Sequence, residues 1–137
     1  MRREQLQEQI IAATRPSLAG GEFVHSCSAV WATECSGRTP LMLRRRALHY
    51  VAITNRRLIL FRAPRRRARL TPSNMLIAKR HPTFRLEKTR RFSPLLQLLI
   101  RDAAGRRIAL EFRPRDRKVA RELVTMLGTR RELPRYT

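Results

Sequence analysis

The stretch "RRRALHYVAITNRRLILFRAPRRR", residues 44–67, sets two apolar runs between two arginine triplets. "ALHYVAIT" (47–54) and "RLILFRA" (57–63) are rich in aliphatic and aromatic residues, with Asn55 and Arg56 between them. Asparagine tolerates the positive φ that tight hairpin turns require, so the stretch predicts two antiparallel strands joined by a short turn. That geometry places Arg44, Arg45 and Arg46 beside Arg65, Arg66 and Arg67 at one end, where Arg69 adds to them. Arg56 and Arg57 fall at the opposite end, where a structural role, with Arg57 pairing an acidic side chain or holding the turn against the closing helix, outweighs ligand binding.

Working outward, residues 2–15 predict a short amphipathic helix, with Leu6, Ile10 and Ala13 on one face and Pro16 ending it. "FVHSCSAVWAT" (23–33) predicts a first strand whose buried face carries Phe23, Cys27, Ala29 and Trp31, with His25 its polar member. Residues 68–81 suggest two short extended pieces broken at Pro72. Residues 82–94 look basic and irregular, with one short strand near Thr83–Glu87. "LLQLLIRD" (95–102) and "RRIALEFRP" (106–114) make a second hairpin around "AAG". The alternation of Ile108, Leu110 and Phe112 with Arg107, Ala109, Glu111 and Arg113 is the cleanest in the chain. "PRDRKVARELVTMLG" (114–128) then predicts a helix with Val119, Leu123 and Met126 or Leu127 as its apolar stripe and Gly128 at C′. A basic tail, 129–137, is expected to fray. Short antiparallel strands followed by a helix define an α+β arrangement.

With 137 residues, the chain suits one packed domain. Its 31 Lys and Arg against 10 Asp and Glu leave a net charge of +21. Such a surplus repels itself unless something anionic neutralises it. The preference for arginine suits bidentate phosphate recognition, although a GC-rich genome produces the same bias. No segment approaches the roughly 18 apolar residues of a membrane-spanning helix, and the N-terminus lacks the apolar core of a secretory signal. Cytoplasmic residence is expected, with Cys27 and Cys35 as free thiols.

Sites for chemistry are scarce. Cys27 and Cys35 lie eight apart with His25 nearby, but no second Cys or His pair stands at zinc-ligand spacing, and His49 and His81 are isolated. Ser26, Cys27 and Ser28 lack a recognisable base and orienting partner, and Glu34, Glu87, Asp102 and Glu111 are scattered. Neither a glycine-rich phosphate loop nor a cofactor signature is present. The segment "KRHPTFRLEKTRR" (79–91) carries cations with Phe84 and Phe92 bracketing most of it, which offers a nucleic-acid surface as an alternative.

Three motifs carry a resemblance: "GGEFV" (20–24), "AITNRRLILF" (52–61) and "DRKVARELVTML" (116–127). Over residues 18–128 the chain resembles bacterial pleckstrin-homology-like (PH-like) domains, a group similar to the GRAM domains. The resemblance implies a bent antiparallel sheet or partly open barrel of about seven strands, capped by the C-terminal helix; the N-terminal helix, residues 1–17, and the tail, 129–137, lie outside it. It also implies binding or scaffolding without catalysis. Basic loops in lipid-binding members correspond here to Arg44, Arg45, Arg46, Arg65, Arg66 and Arg67, and the loop before the last strand adds Arg106 and Arg107. The eukaryotic phosphoinositide signature is not reproduced at its spacing. The expectation is a non-enzymatic module bound to anionic lipid headgroups, peripheral at the inner face of the membrane. Nucleic acid or an acidic protein partner are the alternatives, and homo-oligomers are compatible with the sequence.

Overall fold

The computed structural model describes residues 2–35, 47–65, 68–80, 83–92 and 95–136. Two helices, α1 (Arg3–Thr14) and α2 (Arg117–Tyr136), bracket seven strands. The strands are β1 (Val24–Cys35), β2 (Ala47–Thr54), β3 (Arg57–Arg62), β4 (Met75–Arg80), β5 (Phe84–Phe92), β6 (Leu95–Asp102) and β7 (Arg107–Phe112). All pair antiparallel in one sheet of order β4-β3-β2-β1-β7-β6-β5. The sheet curls into a half-barrel, an α+β architecture. Both predicted hairpins are present, as β2–β3 and β6–β7.

The curl is visible in what the two ends of the sheet share. Leu58 and Leu60 of β3 lie in one core with Phe84 and Leu86 of β5, although five strands separate β4 from β5 in the hydrogen-bonded order. Val119, Ala120, Leu123 and Leu127 of α2 fill this inner core. The other side of β1, β2 and β3 has a second core, where Ile10 and Ala13 of α1 pack with Cys27, Tyr50, Ala52, Ile59 and Phe61. Here lies the reason for the nearly unbroken apolar runs of the first hairpin. Val51, Ile53, Leu58 and Leu60 face the inner core while Tyr50, Ala52, Ile59 and Phe61 face α1, so both faces of the hairpin are covered.

Four expectations need correction. On β1 the inner face carries Val30 and Ala32, Cys27 lies under α1, and Phe23 is 54% exposed. Alternation cannot name the buried face of a strand covered on both sides, and a register shift between Val24 and Ser26 breaks the parity as well. Residues 84–92, read as mostly irregular, form the nine-residue edge strand β5. The extended piece expected before Pro72 is absent from the strand order; a 3-10 turn, Pro72–Asn74, leads straight into β4. Gly128 does not close the last helix, which runs through it to Tyr136.

Candidate functional site

The two motifs "GGEFV" and "TNRR" meet in space. Arg57 donates from Nε to Glu22 Oε2 at 2.8 Å and from Nη2 to Glu22 Oε1 at 2.9 Å. The Thr54 hydroxyl donates to Glu22 Oε2 at 2.7 Å, and the Ala19 N–H donates to Oε1 at 3.0 Å. Arg57 Nη2 also reaches the Ser17 carbonyl at 2.7 Å. Asn55 accepts from the Phe23 N–H at 2.9 Å and donates to the Gly21 carbonyl at 3.1 Å. Gly21 has φ +79°, and a Cβ there would come within 3.2 Å of the Arg56 guanidinium. The Glu22 side chain is 1% exposed, and the Arg57 hydrogen bonds, opposed by burial, hold its carboxyl at about 2. Arg57 is therefore a structural residue that pins residues 17–23 to the hairpin turn.

The arginine-rich end is only partly within view. Arg44, Arg45, Arg46, Arg66 and Arg67 lie outside the described residues. Arg65 and Arg69 are exposed, beyond the end of β3. Arg69 borders a groove of about 530 Å³ against Gln5, Glu8 and Gln9 of α1. Arg106 and Arg107 are less available than their position in a loop before β7 suggests. Asp102 accepts from the Arg106 N–H at 2.8 Å and from its Nε at 3.1 Å, although the guanidinium stays half exposed. Arg107 Nε bonds Glu87 Oε2 at 3.1 Å and is mostly covered. Both arginines have carboxylate partners that the linear order of residues does not reveal.

Between β4 and β7 the half-barrel opens into a small cavity of about 130 Å³. Leu60, Ile77 and Ile108 form its floor, with Leu76, His49, Glu34 and Arg106 around it. Leu76 is the residue added at the β3–β4 register shift and is 46% exposed. Behind this opening Asp102 also accepts from Lys79 Nζ at 3.2 Å. Burial raises the Asp102 pKa, but the bonds from the Arg106 backbone, Lys79 and the Arg106 side chain outweigh it and hold the carboxyl at about 2.

Compared with known proteins, the chain matches no family model and no curated protein.

The outer face of β5, β6 and β7 carries arginines drawn from all three strands. Arg85 stands opposite Arg101, and Arg101 opposite Arg107, in one row across the three strands. Lys88 and Arg90 continue along β5, opposite Leu99 and Gln97. Of the two candidate stacking rings for nucleic acid, Phe84 is 3% exposed and belongs to the inner core, and the side chain of Phe92 lies outside the described residues.

The remaining candidates for chemistry are quiet. Burial pushes the Cys27 thiol up to about 11, which leaves little thiolate at neutral pH. Cys27 and Cys35 are both free thiols. Among the described residues no group of three His, Cys, Asp or Glu is placed to hold a metal ion, and no helix is long and apolar enough to cross a membrane. Arg65 and Arg69, exposed beyond β3, give the described surface fixed positive charge.

Proposed function

We propose that this chain is a non-enzymatic binding module that attaches peripherally to acidic phospholipid surfaces through its arginine-rich end. The observation that carries the reading is the balance of charge after internal pairing. With 31 Lys and Arg facing 10 Asp and Glu, carboxylates can neutralise only a minority of the cations. The buried carboxylates Glu22 and Asp102 are committed to Arg57, Lys79 and Arg106. Most of the surplus is left on the surface, where each cation near an anionic bilayer adds about 1 kcal/mol of attraction. The exposed Leu76 at the rim beside Arg106 adds an apolar contact of the kind that sits at a bilayer interface. The curled seven-stranded sheet with its C-terminal helix is also the architecture that the PH-like resemblance implies.

Vesicle flotation at near-physiological salt tests this, comparing neutral with anionic liposomes and adding duplex DNA as competitor. Flotation with anionic vesicles alone, surviving the DNA, is the expected result. Absence of flotation, or complete transfer to the DNA, overturns it and leaves nucleic acid or an acidic protein as the partner to pursue.

A further inference from the structure

We infer that the mouth of the half-barrel between β4 and β7 is a binding site for a free α-amino acid with a short aliphatic side chain. The inference concerns this pocket alone and does not rest on the proposed membrane attachment.

The pocket sets an apolar floor under a rim of mixed charge. Leu60, Ile77 and Ile108 close it below and Leu76 walls one side, in a volume of about 130 Å³. The three floor residues also line a deeper void of about 10 Å³. That void admits a single water-sized group at most, so the pocket ends there. Size then limits the occupant. An apolar cavity of about 150 Å³ takes up benzene, so this slightly smaller one has room for about five carbon atoms. The side chain and Cα of leucine or isoleucine fill that space. A phenylalanine side chain, or the acyl tail of a membrane lipid, is too large for it.

Charge at the rim selects the rest of the ligand. Arg106 commits its backbone N–H and its Nε to Asp102, and its two terminal nitrogens make no hydrogen bond among the described residues. The side chain is half exposed, so those nitrogens can still grip a carboxylate. Glu34, exposed near the end of β1, has no ion pair among the described residues and supplies the opposite charge. His49 donates from Nδ1 to the Ala47 carbonyl at 2.8 Å, so its neutral ring keeps Nε2 as an acceptor. A donor fork and two acceptors around one apolar floor match a carboxylate and an ammonium carried on the same carbon. A plain carboxylic acid would meet Glu34 with no counter-charge, and a plain amine would meet Arg106 in the same way. Solubility alone accounts for charge at an open barrel end. It does not account for the exposed Leu76 or the open apolar floor beside it.

Calorimetric titration of the full chain tests the site with L-leucine, and with isocaproate, isoamylamine and glycine, which lack its ammonium, its carboxylate and its side chain in turn. Saturable heat with leucine alone is the expected result. Glu34→Gln should weaken leucine binding about ten-fold, the effect of losing one charged hydrogen bond. The thermal midpoint of this variant should match wild type, since Glu34 is exposed and has no ion pair among the described residues. Weaker binding then cannot be assigned to unfolding. Leucine binding unchanged in the variant, or isocaproate or isoamylamine bound as tightly as leucine, overturns the assignment. So does the absence of saturable heat with millimolar leucine. None of these outcomes bears on membrane attachment, which flotation tests separately.

Discussion

Lys79 of β4 and Asp102 of β6 meet at 3.2 Å across the opening of the half-barrel, joining strands from opposite ends of the hydrogen-bonded order. The Asp102 side chain is 1% exposed and also takes two bonds from Arg106. Its charge thus depends on partners supplied by the curl and by the β6–β7 turn. Replacing Asp102 with Asn removes the charge that both cations face and is expected to lower the thermal midpoint. Hydrogen exchange should quicken first in β4 and at the start of β5. An unchanged midpoint together with unchanged exchange there would show that the curl is held by apolar packing alone.

Arg57→Ala is expected to destabilise the fold by about 3 kcal/mol, since the Glu22 carboxylate would stay buried without its cation. Arg57→Lys should recover only part of this, because an ammonium cannot reproduce the two-pronged contact. Urea denaturation of the two variants checks the order. Equal stability of the alanine and lysine forms would remove the bidentate geometry from the explanation.

The fold should weaken in acid. Glu22 and Asp102 are held at about 2, below their ordinary values of 4.5 and 3.8. For groups lowered in the folded state, the stabilisation is fully present above the ordinary values and is lost as pH falls toward 2. Asp116 has the opposite sign: burial raises its pKa, so its contribution is favourable at low pH and is lost as pH rises through the folded value. Two lowered carboxylates against one raised one predict a net fall in thermal midpoint below about pH 4.5. The double variant E22Q/D102N should be less stable at neutral pH and flatter through the acid range. An acid dependence identical to wild type would locate the titration elsewhere.

Ile10 of α1 is fully buried against the outer core of the first hairpin. Ile10→Ala should cost about 3 kcal/mol, from lost transfer energy plus the cavity left beside Phe61 and Ile59. A loss under about 0.5 kcal/mol, the range of surface substitutions, would mean that α1 adds little to the stability of the domain.

Elements whose signals are local can be read from the order of residues alone. Each hairpin brings together runs joined by a short turn, and the stripe Leu6, Ile10 and Ala13 marks the packed face of α1 wherever that face docks. Pairing of Arg57 with a carboxylate was also legible, through the "TNRR" motif, although not which carboxylate. Features that depend on distant partners emerge only when the chain folds. The seam of Lys79 with Asp102 spans 23 residues, the lock of Arg57 on Glu22 spans 35, and Arg107 finds Glu87 from 20 residues away. Folding also decides facing. One extra residue at Glu87 reverses every side chain after it, so alternation along β5 read as irregular and the strand went unrecognised although its basic character was plain. Spacing records which residues share a face, but only packing on either side of a strand determines which face is covered.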